Sequence, residues 1–233
     1  MTGGKTKLLP VADSGDFRQF LEIALKDLRL EMRAREVGLV IAPFGAVSLL
    51  LIPMAIDTNT PLLRQLGPGL YWVVVLLFGV LVTFRDTAVE RPEQLAVLRL
   101  CGVDPAVRLA GRALANAVLL LLFELLLAPV AIALYSPELT GWAWMLVPVV
   151  LVAGGLSLLG TLANTLARGL AGRTALGPLL VVPLAVPMLL AATQIVRSVD
   201  LGRAWPWVLL IAIVDVVVAL GVLLTADYLE EMA

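Results

Sequence analysis

Leu139–Ala167 reads LTGWAWMLVPVVLVAGGLSLLGTLANTLA, 29 residues without a charged side chain. A helix of about 20 apolar residues crosses a hydrocarbon core about 30 Å thick. This stretch is long enough, and five others match it. Val37–Ile56 and Gln65–Phe84 carry no charge over 20 residues each, and Thr174–Val196 carries none over 23. Ala113–Pro137 is broken only by Glu124, and Ala204–Ala226 only by Asp215. The pattern predicts an all-α integral membrane protein with six transmembrane helices, over about 37–56, 66–84, 105–135, 142–167, 175–196 and 206–227.

The loops between these stretches differ in charge. Seven Lys/Arg precede the first span: Lys5, Lys7, Arg18, Lys26, Arg29, Arg33 and Arg35. Arg85, Arg91, Arg99, Arg108 and Arg112 follow the second span, and Arg168 and Arg173 the fourth. The opposite side holds only Arg64, Arg197 and Arg203. Fourteen basic residues against three place both termini in the cytoplasm. All five Trp (Trp72, Trp142, Trp144, Trp205 and Trp207), with Tyr71 and Tyr135, fall at the expected outer ends of spans. That is where part-apolar, part-polar rings suit the headgroup level.

With 61% hydrophobic residues in 233, there is no room for a soluble domain of ordinary size. The organisation expected is a mobile cytoplasmic tail at 1–16, an amphipathic helix at 17–35, a six-helix unit at 36–227 and a short cytoplasmic tail at 228–233. No short apolar run with a small-residue cleavage site opens the sequence, so no signal peptide is expected. Cys101 is the only cysteine and lies in an expected cytoplasmic loop, where it reads as a small apolar residue. The net charge of −1 is segregated by topology and points to no nucleic acid. Histidine is absent. Haem ligation by His, His-based zinc sites and Ser-His proteolysis therefore have no residue to carry them. Nor is there a Gly-x-x-x-x-Gly-Lys-Ser/Thr phosphate loop, so ATP would have to act through another subunit.

Phe17, Phe20, Leu21, Ala24, Leu25, Leu28 and Met32 recur at helical spacing, with Arg18, Glu22, Lys26, Arg29 and Arg33 on the other face. This is the pattern of an amphipathic helix lying on a membrane surface, or of one packed on a partner. In the loop after the second span, Arg91-Pro92-Glu93-Gln94 reads as a helix start, Leu95 to Cys101 continues it, and Gly102 suits its end. Asp104-Pro105 reads as the cap of the third span. The short helix carries Leu95, Val97, Leu98 and Leu100. It suits docking to a partner better than a merely solvated connector does.

Ala153, Ser157, Gly160, Thr161 and Asn164 share a face of the fourth span, which suits close helix packing. Pro178, Pro183 and Pro187 in the fifth suggest kinks or a broken helix. Glu124 and Asp215 each lie near the middle of a span, and Asn116 is eight residues before Glu124. An acid at the bilayer centre costs about 2.5–3.5 kcal/mol on insertion scales. Two readings are open: a polar strip along a substrate path or subunit interface, and hydrogen bonding between helices.

Several stretches resemble the CcmB family, the heme exporter B subunit of cytochrome c maturation. Leu66-Gly67-Pro68-Gly69-Leu70-Tyr71-Trp72 resembles its Pro-Gly-x-x-Trp motif. Arg85-Asp86 followed by Glu93-Gln94-Leu95 resembles its Asp…Glu-x-Leu surface helix, with Val89-Glu90-Arg91-Pro92 in place of the usual Asp-Gly. Leu180–Pro187 resembles its proline-rich fifth span, where the following Ile-Phe-Ala reads Leu190-Ala191-Ala192. Gly141-Trp142 and the stretch Asn116–Glu124 fit as well, and the similarity runs from about 17 to 198. The resemblance implies an ABC-type permease subunit without catalysis of its own, in the inner membrane of a bacterium. It would work with a CcmA-like ATPase, a CcmC-like heme-handling subunit, a small CcmD-like subunit and a CcmE-like periplasmic heme chaperone, with two permease copies per complex. It implies ATPase docking at Asp86, Glu93, Gln94, Leu95 and Leu98, and leaves Asn116, Glu124 and Asp215 as the intramembrane polar group. No cofactor is expected in the chain itself; heme enters as the ligand the complex transports or delivers. An ABC export permease for another lipid-like substrate, and a non-transporting scaffold between an ATPase and a chaperone, are the alternative readings.

Overall fold

The computed structural model describes residues 14–34, 37–55, 60–85, 104–135, 142–169, 176–198 and 200–231. All elements among the described residues are helical. Helix α1 is Ser14–Ala34. A widened π-type turn, Val37–Ile41, leads into α2, Ala42–Ala55. It lies directly ahead of Pro43, which has no N–H to offer the carbonyl of Leu39. Then follow α3 (Thr60–Arg85), α4 (Pro105–Tyr135), α5 (Trp142–Gly169), α6 (Leu176–Arg197) and α7 (Leu201–Glu231). Among the described residues six helices are long and apolar enough to cross a membrane, and the chain is a multi-pass membrane protein.

Local chemistry sets several boundaries. The Asp104 carboxylate accepts the Ala106 N–H at 2.7 Å, and its carbonyl accepts the Arg108 N–H at 3.0 Å. With Pro105 as first helical residue, this is an N-cap closing the open end of α4. Helix α3 begins at Thr60, ahead of the apolar run, with Pro61 in a first turn that needs no N–H. Helix α6 is continuous through Pro183 and Pro187 rather than broken. Both prolines lie on its exposed side. Their missing hydrogen bonds therefore do not open the packed face.

Helix α5 is the hub. It touches α3, α4, α6 and α7, and 61% of its membrane stretch is buried against 17% for α7. Helix α1 packs along α4, with Phe20, Ile23, Ala24 and Leu28 turned inward and Ile23 against Gly111. This contact face is rotated from the apolar stripe. Ile23 and Asp27 turn inward, while Leu21 and Leu25 remain exposed beside Arg18, Lys26 and Arg29.

The aromatic belt needs correction. Trp205 and Trp207 are exposed as an interface position requires, but Trp72 is 1% exposed, and Tyr71 and Tyr135 are buried. These three rings fill the space between helices and do not meet headgroups.

Candidate functional site

Two sets of polar groups stand out inside the bundle among the described residues. The first lies where α5 meets α3 and α4. Thr161 and Thr165 donate to carbonyls one turn back on their own helix, Ser157 and Thr161, at 2.9 and 2.6 Å. Thr83 of α3 does the same to Gly79 at 2.8 Å. Ser157 donates across to the Ala113 carbonyl of α4, and the Asn164 amide donates across to the Thr83 carbonyl at 3.4 Å. At Gly160 a Cβ would strike the Thr83 side chain, so the missing side chain lets α3 lie against α5. The small and polar face of the fourth span is thus a helix junction, as its composition suggests.

The second set lies on α4 and α7. Glu124 is fully buried at 0% exposure, and Asn116 is buried on the same inward face. Eight residues put about 12 Å between them along the axis. Among the described residues, neither Glu124 oxygen and neither polar atom of Asn116 has a hydrogen-bond partner. Asp215 of α7 is half-buried, and its Oδ1 is enclosed and unpartnered. It sits where α5 has Gly155: a Cβ there would strike the Asp215 carboxylate and the Met188 sulfur. Among the described residues, the side chains of Asn116 and Glu124 make no helix-to-helix hydrogen bond. A buried polar group without a partner costs on the order of 1–3 kcal/mol in proteins. Such groups stand ready for a proton, a water or a polar atom of a ligand.

Two tyrosines that the sequence reading places in the belt act inside. The Tyr135 hydroxyl donates to the Leu49 carbonyl at 2.9 Å. That carbonyl lies four residues before Pro53, which has no N–H to give it. The pairing was findable in principle, because a mid-span proline announces a carbonyl in need of a donor. The Tyr71 hydroxyl donates to the Glu124 carbonyl at 2.9 Å, and its ring meets Trp72 edge-on at 5.0 Å. Tyr71, Trp72 and Tyr135 wall a cavity of about 100 Å³ between α3, α4, α5 and α6, near the ends where α4 and α6 finish. At that same end the Arg197 guanidinium of α6 donates to the Gln65 carbonyl of α3.

Asn116, Glu124 and Asp215 are therefore placed on interior-facing surfaces of two helices. Asp86, Glu93, Gln94, Leu95 and Leu98 lie outside the described residues.

Compared with known families, residues 18–230 match the model of the CcmB protein family. The chain belongs to the CcmB family. Similar curated proteins are each named heme exporter protein B. The one from Haemophilus influenzae is 30% identical over 186 residues, covering 78% of this chain and 83% of the relative. Those from Rhodobacter capsulatus and Paracoccus denitrificans are each 30% identical, over 181 and 178 residues. They cover 77% and 75% of this chain and 83% and 81% of the relatives. CcmB membership extends beyond the region of motif resemblance to take in α7, and with it Asp215.

Proposed function

We propose that this chain is the membrane permease subunit of an ABC-type complex that exports or delivers heme for c-type cytochrome biogenesis. The observation that carries the reading is the family match over 18–230, which coincides with the six-helix membrane unit and α1. The partners in this reading are a separate ATPase, a heme-handling membrane subunit, a small membrane subunit and a heme chaperone on the far side, with two permease copies per complex. The chain itself carries out no catalysis. ATP binding closes two ATPase subunits, which push on the segment near 91–101, and the spans respond as a packed body through α5. Helix α1 lies along the cytoplasmic leaflet. The exposed Leu21 and Leu25 beside Arg18, Lys26 and Arg29 support this, because apolar and basic side chains together suit an anionic membrane surface.

Deletion of the gene in its host should abolish heme-stained c-type cytochromes, and the full-length chain should restore them. Restoration failing while the protein sits in the membrane at normal levels would overturn the reading. Docking is tested by Leu95→Asp with Leu98→Asp, which should release the ATPase from the membrane fraction. An ATPase that stays bound would move docking elsewhere. Sidedness is tested in a Cys101→Ser background. Cysteines at Thr58 and Pro137 should react with an impermeant thiol reagent from outside, and cysteines at Thr87 and Ala171 should not. The reverse pattern would invert the topology.

A further inference from the structure

We propose that Asn116 of α4 and Asp215 of α7 are the two halves of a polar latch that closes over Gly154 of α5. The two side chains stand at one level. Ser157 of α5 donates to the Ala113 carbonyl of α4. Three residues from that bond toward the loop joining the two helices stand Asn116 and Gly154, about 4.5 Å along each axis. Gly155, the next residue, has the Asp215 carboxylate against its bare backbone. Asn116 and Asp215 therefore differ in depth by about one residue's rise, roughly 1.5 Å.

The faces match as well. Leu109 of α4 packs with Val222 and Ala226 of α7, and Leu158 of α5 lies beside them. Seven residues carry a helix through two turns to within about 20°. Asn116 is seven residues after Leu109, and Asp215 is seven before Val222. Each continues the edge along which α4 and α7 pack together. Gly154 is one turn from Leu158, so it faces the seam between them.

At that level the seam is open and its polar groups are uncommitted. A Cβ built on Gly154 meets nothing within 4 Å. Asn116 Nδ2 and Asp215 Oδ1 lack partners among the described residues. An amide N–H donates and a carboxyl oxygen accepts, so each group supplies what the other needs. Closure carries the carboxylate from Gly155 across the bare surface of Gly154 to Asn116. Neither glycine has a side chain to obstruct it. Helix α7 is the span least held by the others, with 17% of its membrane stretch buried, so it is the one that moves at least loss of packing. The gain is a hydrogen bond for two groups that are costly when left alone. The latch rests on packing and does not depend on heme or on the ATPase.

Cross-linking makes the test, on the full-length protein in membranes and in a Cys101→Ser background. A disulfide needs Cα atoms about 4.4–6.8 Å apart, so it reads closure. Asn116→Cys with Asp215→Cys should form one under mild oxidation, detected by mass spectrometry. Ala113→Cys with Ser157→Cys marks a contact that the structure already holds and serves as the positive control. Gly154→Leu fills the seam and should lower the yield of the 116–215 disulfide on the order of threefold or more, whereas Gly154→Ala should leave it unchanged. The bond itself is tested without changing Gly154. Asn116→Asp sets two acids face to face and should raise the unfolded fraction at fixed denaturant about fivefold, and Asp215→Asn in the same chain should restore it by exchanging donor and acceptor. Absence of the 116–215 disulfide while the control pair forms would overturn the proposal. So would a disulfide that Gly154→Leu does not reduce, or an exchanged pair that restores nothing.

Discussion

The polar groups along α5 and those in the middle of α4 face the same bundle interior and meet opposite fates. Ser157, Thr161, Asn164 and Thr165 each donate a hydrogen bond. Asn116 and Glu124, in a neighbouring helix, make none with their side chains among the described residues. For Thr161 and Thr165 the difference is one of chemistry; for Ser157 and Asn164, which reach the Ala113 and Thr83 carbonyls of neighbouring helices, it is one of position. A serine or threonine hydroxyl can turn back to the carbonyl one turn earlier on its own helix, so it enters lipid already satisfied. A carboxyl or an amide on α4 needs a partner from elsewhere, and this packing supplies none. The α5 junction is therefore structural, while Asn116 and Glu124 on α4, with the Trp72 indole N–H on α3 and an Asp215 oxygen on α7, hold unused hydrogen-bonding capacity among the described residues.

The contrast breaks most readily at Gly160. Gly160→Ala should drive a methyl group into Thr83 and force α3 off α5, costing about 3 kcal/mol. Thr83→Ser in the same chain removes the nearest methyl and should restore part of that loss. Gly154→Ala is the control: a Cβ there meets nothing within 4 Å. It should be neutral or stabilising by up to about 1 kcal/mol. Unfolding of the purified protein in mixed micelles reads all three. Equal effects at the two glycines would mean that α5 is not the close-packed hub.

At Glu124 stability and function should move in opposite directions. Glu124→Leu replaces an unpartnered acid with an apolar side chain of similar size, and should raise stability by about 2 kcal/mol. It should lower the yield of heme-stained c-type cytochromes if the acid is part of the working machinery. Glu124→Gln should leave assembly intact and lower that yield less. A Glu124→Leu protein that unfolds more easily would show that the carboxyl has a partner after all, and the contrast with α5 would collapse.

Tyr135→Phe should cost about 1–2 kcal/mol, because the Leu49 carbonyl is left without a donor. In a Pro53→Ala background that carbonyl regains its own helix's N–H, and the same substitution should cost less. A double-mutant cycle measures the difference, and a coupling near zero would remove the link between the two residues. The smallest effect is expected at Asn164. Its bond to Thr83 is long at 3.4 Å, so Asn164→Ala should cost only about 0.5 kcal/mol by the same unfolding measurement.

Much of the fold is legible in the residues. Six apolar stretches answer to six membrane-length helices, and Asp104-Pro105 caps α4 as its local chemistry predicts. The small and polar face of the fourth span is a helix junction, as its composition suggests. The aromatic residues were not so readable. Trp72 and Trp205 have the same side chain and both stand toward the end of an apolar stretch, yet one is enclosed and the other exposed. Periodicity cannot separate them, because in lipid both faces of a span are apolar. The candidate polar residues were visible as types, but not their lack of partners.

The sequence by itself determined that six stretches are long and apolar enough to cross a membrane, as six helices among the described residues are. Crossing depends on apolar length, which is a property of consecutive residues and needs no partner. It also determined that α1 is amphipathic and where α4 begins, since both depend on residues within a few turns. Only the tertiary structure decided which face of α1 meets α4, which rings leave the interface for the core, and which buried polar groups are bonded. Those outcomes join positions far apart in the chain, such as Tyr135 with Leu49 at a separation of 86 residues and Tyr71 with Glu124 at 53. No local pattern encodes such a pairing; it arises when helices that are each stable alone choose how to pack.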